Sequence, residues 1–293
     1  MKTASSLSPL VSHISLMKFL FGALVGGFLL FQSQASPKKV AGKIAGALRA
    51  KYPDAKVEVD VKGKRGTNVL NGRFDEVAVR MADFSAGAAG FSLVAVPDAR
   101  KKGFLGKTSI RLQNFGAGGV RVAALNLEWN DVVYDRAALT KDSRLAIVSA
   151  GAARGELVLA ADALLPFIAA KMPEVENARL RFSGGLMTLS GTRAAPLVGT
   201  PIGFSLVAKP VARGRELWLE DVQIAFGGAQ VPEAFSKSLV GNLNPIFVFD
   251  KDNKFPFRIT KSAVALHDDN ANGTLQLSSE LEFVPALQSP QVR

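Results

Sequence analysis

The side chains able to do chemistry are few and poorly placed for catalysis. There is no cysteine, which removes disulfides, thiol nucleophiles, thiolate metal sites and an acylated-cysteine anchor. Of the two histidines, His13 falls in an N-terminal leader and leaves His267 alone. One histidine supports neither a hydrolytic triad nor a multi-histidine metal site within one chain. No G-x-S-x-G elbow and no phosphate-cradling G-x-x-x-x-G-K-[ST] occurs.

Two acidic patterns need weighing. Asp268-Asp269-Asn270-Ala271-Asn272-Gly273 matches the start of a calcium loop, but Ser279 stands where a bidentate glutamate belongs and Glu280 comes one residue late. Between two alternating strands the same residues are ordinary hairpin chemistry. The pairs Asp75-Glu76 and Glu220-Asp221 could do acid–base work, yet adjacent strand residues point to opposite faces unless a bulge intervenes. In both places the apolar alternation changes parity across the acids, which predicts a bulge that bends a strand and leaves the acids solvated. The expectation is a protein that is not an enzyme and carries no cofactor or metal.

What remains is apolar surface and positive charge. The 293 residues are 48% hydrophobic and carry a formal net charge of +11, so anionic lipid, nucleic acid or acidic glycan are candidate partners. Two Trp, two Tyr and scattered basic residues argue against nucleic acid. Phe19 to Phe31 is a charge-free run behind Lys18, too short for a membrane span and suited to a signal-peptide core. Ser33 and Ala35 put small residues before a cut after Ala35; an uncleaved anchor is the alternative, and Met17 is an alternative start to Met1. Export follows, to the periplasm or cell envelope and peripheral to the membrane. The expected division is a signal peptide at 1–35, a first helix-plus-sheet half at 36–155, a second at 156–284 and a flexible tail at 285–293.

Ser36-Pro37 opens a helix with Val40, Ile44 and Leu48 on one face and Lys38, Lys39, Lys43, Arg49 and Lys51 around it. Such a helix either lies on an anionic membrane, with Lys38, Lys39 and Lys43 as the surface contacts, or covers a sheet. Alternating strands follow, among them Val57/Val59/Val61 and Val77/Val79/Met81, separated by Gly- and Asn-rich turns. No helix-length segment separates them, which predicts an antiparallel sheet.

A second helix, Ala161 to Met172, has Asp162 as its expected N-cap and charges only at Asp162 and Lys171. Leu164, Leu165, Phe167, Ile168 and Met172 cover more than one stripe, so sheet encloses the helix or a ligand takes one face. Pro232 to Leu243 predicts a third helix with Phe235 and Leu239 on its apolar face. Ala50-Lys51-Tyr52-Pro53-Asp54 and Ala170-Lys171-Met172-Pro173-Glu174 end two helices alike, and the two acid-pair strands echo each other in the same order, which suggests internal duplication.

Gly72-Arg73-Phe74-Asp75-Glu76-Val77-Ala78-Val79, Glu156 through Leu165, Leu197 through Ile202, Leu243-Asn244-Pro245 and Phe255 through Thr260 form an ordered set. In this set, over about residues 38–284 and least from Ala86 to Phe104, the chain resembles the LmeA-like phospholipid-binding family of bacterial envelopes. The resemblance implies an exported phospholipid-binding protein with no catalytic residues, and a tubular lipid-binding shape. The combined expectation is an α+β fold of two similar halves, each a curved antiparallel sheet wrapping an apolar helix. Acyl chains of a phospholipid, expected from the charge to be anionic, would lie against Leu164, Leu165, Phe167, Ile168, Phe182, Ile202, Phe204, Leu206, Phe235 and Leu239. The alternative is an envelope scaffold whose core is simply filled.

Overall fold

The computed structural model describes residues 36–64, 67–86, 92–117, 120–138, 144–193, 200–248, 256–268 and 272–286. The leader with its expected cleavage point lies outside these residues, as does most of the expected tail. No helix among them is long and apolar enough to cross a membrane.

Helix α1 (Pro37–Lys51) begins at Ser36, whose side chain makes no capping bond, with Pro37 in the first turn where its missing N–H costs nothing. Its i, i+4, i+8 face, Val40, Ile44 and Leu48, is fully buried on β1 (Lys56–Lys62). Arg49 Nη2 donates to the Val57 carbonyl at 2.8 Å and fixes the helix along that strand.

Beyond the short helix α2 (Thr67–Leu70), a large sheet is built from β2 (Arg73–Ala86), β4 (Lys102–Ala117), β5 (Val120–Asp135) and β7 (Ala153–Ala160), with β1 on one edge. Strands β3 (Ser92–Ala95) and β6 (Arg144–Ser149) pair with each other, and β6 joins the sheet through β5. The two last strands, β14 (Phe257–His267) and β15 (Thr274–Phe283), return to this sheet, β15 against β7. A smaller sheet holds β8 (Val175–Ser183), β9 (Leu186–Arg193), β10 (Ile202–Arg213), β11 (Glu216–Phe226) and the two-residue strands β12 (Ala229–Gln230) and β13 (Phe247–Val248).

The fold is thus mostly β, with two sheets and few helices, and the expectation of a purely antiparallel sheet is corrected. β2 runs parallel to β4, and β3 parallel to β6. A parallel pair needs a crossover of about a dozen residues, not a helix, and residues 87–101 are long enough to supply it. The expected division after residue 155 falls inside β7, and the strands beyond it are shared between the two sheets.

Two rows of irregular residues cross the large sheet. The ladders pass from Phe74↔Leu105 to Glu76↔Lys107, and from Leu105↔Val132 to Lys107↔Asn130, leaving Asp75, Gly106 and Asp131 in one row. A second row holds Asp83, Asn114 and Ala123. Asp83, Asn114 and Asp131 have φ of 59°, 50° and 53°, a conformation that Asp and Asn tolerate better than other side chains. Burial changes parity across each row: Phe74 gives way to Val77, Val79 and Met81, and these to Phe84. The bulge read at Asp75-Glu76 is therefore a disturbance shared by neighbouring strands, with no net slip. At Gly106 a Cβ would stand 2.4 Å from the Asp75 carbonyl oxygen, so the approach there requires glycine. At Glu220-Asp221 the register does shift, between Val207 and Lys209 of the partner strand, with Asp221 at φ 51°. Irregularities of this kind locally disturb a ladder and raise a strand's twist.

Helix α3 (Ala161–Lys171) starts two residues earlier than a cap at Asp162 would place it: the N-cap is Ala160, and Asp162 sits in the first turn, accepting a bond from Asn272 Nδ2 at 3.3 Å. Pro166 lies inside the helix. α3 touches β8 of the small sheet, β5 and β7 of the large one, and helix α4 (Glu233–Leu243), which lies on β11. Strand β14 of the large sheet approaches β8 and β10 of the small one. The buried residues of both sheets and of α1, α3 and α4 join in one continuous apolar core.

Candidate lipid site between the sheets

Several of the residues expected to contact lipid belong to the apolar core that α3 and the small sheet share. Leu164 and Ile168 face inward at 1% and 2% exposure, with Ala161, Ala163 and Met172 buried beside them and Leu165 half-buried. Phe182 on β8 and Phe204 and Leu206 on β10 bury their side chains in the same core, and Ile202 is half-exposed. The strands bring them there by alternation: Leu180 and Phe182, Met187 and Leu189, Phe204, Leu206 and Ala208, and Leu217 and Leu219 are all buried on one face of the small sheet. The side chains of Phe167, Phe235 and Leu239 lie outside the described residues.

The far end of this face is different. Ile202 pairs with Arg193 across β9 and β10, and Phe226 at the end of β11 pairs with Phe204. Ile202, Arg193 and Phe226 are half-exposed, and Thr200, Pro201, Gly203 and residues 227–230 are exposed around them. The Phe226 and Phe204 rings are tilted at 50° with centroids 5.4 Å apart. The Arg193 guanidinium lies over Phe226, 5.7 Å from its centroid. Neither Arg193 nor Phe226 was among the residues expected from sequence. The signal was available: continuing the alternation Met187, Leu189, Gly191 puts Arg193 on the apolar side of β9.

The helix ends are held by polar bonds. Lys171 Nζ donates to the carbonyls of Leu243 (2.7 Å) and Pro245, and its partial burial lowers its pKa. Thus the last turn of α3 supplies a cation to the last carbonyl of α4, as a helix C-terminus favours, and to Pro245 just beyond it.

Lys38 and Lys39 are exposed on α1 and Lys43 is half-exposed. The alternative of a helix that covers a sheet holds for the opposite face of α1, and the two readings are compatible. At the C-terminal end of α1 a cleft of about 560 Å³ is lined by residues including Lys51, Tyr52, Asp83, Asn114 and Arg121. Its wall is a polar chain across four strands: Lys56 pairs with Asp83 (2.8 Å), Asn114 Nδ2 donates to Asp83 (2.6 Å), and Arg121 donates twice to Asn114 Oδ1. A second hollow, about 900 Å³, lies on the polar face of the large sheet between Arg111, Glu128, Arg154, Lys261 and Glu280. None of the residues expected to contact lipid lines either of these two.

Glu76 pairs with Lys62 (2.7 Å) and Glu220 accepts twice from Arg213. Residues 269–271 of the calcium-like stretch lie outside the described residues, and the stretch joins β14 to β15, which pair up to His267↔Thr274. His267 bonds only to Gln276 among the described partners, at 2.7 Å on the exposed side. No group of three or more metal-ligating side chains occurs among the described residues.

No protein-family model matches the chain, and comparison with curated proteins and with solved structures gives no match.

Proposed function

We propose that this chain is an exported, non-catalytic phospholipid-binding protein of the cell envelope, which holds or transfers acyl chains between α3, α4 and the apolar face of the small sheet. The observation that carries the reading is the end of that face. Its buried residues, Phe204 and Leu206, continue without a polar break to the half-exposed Phe226 and Ile202. An apolar face that runs from core to surface gives an acyl chain a way in, and each CH₂ it buries adds about 0.8 kcal/mol. Lys38, Lys39 and Lys43 would draw the protein to an anionic membrane, each contributing about 1 kcal/mol near the surface.

One observation favours a second reading, an envelope scaffold with a filled core: Leu164, Ile168, Phe182, Phe204 and Leu206 are all 3% exposed or less. The two separate on adding bulk to α3. Ala163 is buried and Ala169 half-buried. In a filled core Ala163→Trp and Ala169→Trp each destabilise by about 1–3 kcal/mol. In a lipid space an indole occupies the ligand's volume. The test pairs the denaturant midpoint without lipid with binding of a fluorescent phospholipid. Lipid binding predicts at least one variant of near-normal stability and reduced binding. A wild type that binds nothing, with both variants destabilised, establishes the scaffold.

A further inference from the structure

We infer that Arg193 is the group that receives the phosphate of the bound lipid; this rests on the lipid reading above. A cation on the apolar side of a sheet calls for an explanation, because burying or half-burying a guanidinium without a partner is unfavourable. On β9 the buried Met187 and Leu189 set the face, and Arg193 has the same parity. Its neighbours in the ladders are Val175 on β8, which is buried, and Ile202 on β10. The side chain therefore springs from the face that lines the core, at the point where that face reaches the surface.

Some exposed arginines in this protein meet carboxylates, Arg80 pairing with Glu58, Arg213 with Glu220 and Arg258 with Glu282, while others, such as Arg179 and Arg181, are exposed on the opposite face of the small sheet, where water satisfies them. Arg193 makes no ion pair or hydrogen bond with another side chain among the described residues. Its contact is the Phe226 ring, whose π-face attracts a cation without using up the N–H donors. A guanidinium held this way keeps its planar fork free for two parallel bonds to a phosphate, the geometry at which arginine surpasses lysine. From that fork the path is cation, half-exposed Phe226, then Phe204 at 3% exposure. This order, charge outermost and apolar inside, matches a phosphodiester with acyl chains attached.

Calorimetry with four probes tests the assignment: dihexanoyl phosphatidylglycerol, dihexanoyl phosphatidylcholine, dihexanoylglycerol and inorganic phosphate. The proteins are wild type, Arg193→Gln and Arg193→Lys, each with its denaturant midpoint measured. The wild type should bind both phospholipids at least about tenfold more tightly than dihexanoylglycerol, the gain expected of a charge-assisted pair. Arg193→Gln should bring the phospholipids down to the dihexanoylglycerol level and leave dihexanoylglycerol unchanged. Arg193→Lys should fall between, and it serves in place of the glutamine variant if that one unfolds. Phospholipid binding that Arg193→Gln and Arg193→Lys leave intact overturns the assignment while the lipid reading stands. Inorganic phosphate that binds as tightly as the phospholipids also overturns it, in favour of a soluble anion. A wild type that binds no lipid removes the lipid reading, and the assignment with it.

Discussion

The side-chain amide of Asn244 takes the place of a strand beside Leu219. Asn244 Nδ2 donates to the Leu219 carbonyl at 2.8 Å, and the Leu219 N–H donates to Asn244 Oδ1 at 2.7 Å. The pairing continues what β13 begins, since Leu217 pairs with Phe247 and its carbonyl accepts from the Ile246 N–H. Asn244 is also the C-cap of α4, so one residue joins the helix end to β11. Asn244→Ala leaves two backbone groups of a buried strand unpaired and should lower stability by about 1–3 kcal/mol, read from the denaturant midpoint. Asn244→Asp keeps the acceptor, loses the donor, and should fall between.

Gly103 is required by Tyr134. A Cβ at Gly103 would stand 2.2 Å from Tyr134 Cζ and 2.4 Å from Cε1. The ring cannot move freely: it is buried, and its hydroxyl donates to the Gly72 carbonyl at 3.1 Å. Burial also holds the phenol well above its usual range, so it stays protonated. Gly103→Ala should cost about 1–3 kcal/mol or more in chemical denaturation. The same change in a Tyr134→Ala background should cost less, a coupling that a double-mutant cycle measures.

Much of this was legible in the sequence. Val40, Ile44 and Leu48 named the buried face of α1 outright, because helical spacing and burial coincide there. The parity changes at Asp75-Glu76 and Glu220-Asp221 marked real irregularities of the ladders, since a strand that keeps its face to the core past such a residue must change parity. The parallel pairing of β2 with β4 was not legible: periodicity describes a strand and is silent on its neighbour's direction. Nor was the return of β14 and β15 to the first sheet, a choice made by tertiary packing. Asp162 looked like an N-cap, but the strand β7 runs directly into α3 and Ala160 takes that position. Arg193 carries no signal in the sequence beyond its parity with Met187 and Leu189, which puts it on the apolar face.

Acid should loosen the chain of polar contacts at the cleft. Side-chain bonds from Lys56 and then Asn114 hold the Asp83 carboxyl below its ordinary 3.8. The Lys62 bond likewise holds Glu76 below 4.5. The folded state thus binds these protons less tightly than the unfolded chain, so their contribution is fully present above the unfolded values and is lost as pH falls through the lowered ones. Denaturant midpoints should therefore differ between wild type and Asp83→Asn at about pH 6 and converge towards about pH 3. A difference that does not change with pH would show that Asp83 acts through its geometry alone.

The basic face of α1 should bind anionic membranes. At about 1 kcal/mol for each lysine, replacing Lys38, Lys39 and Lys43 together by Gln should weaken binding to phosphatidylglycerol vesicles about a hundredfold. High salt should weaken the wild type in the same direction. Vesicle sedimentation measures both, and binding to purely phosphatidylcholine vesicles should respond to neither.

The central claim is that the apolar space around α3 holds a phospholipid. Native mass spectrometry of the full chain, purified from cells without detergent, tests it most directly. The account predicts a fraction of the protein carrying the added mass of a phospholipid, released on collisional activation and identified by its phosphate-bearing fragment. Protein that carries no lipid, and takes up none after incubation with phospholipid vesicles, would contradict it and leave a filled core.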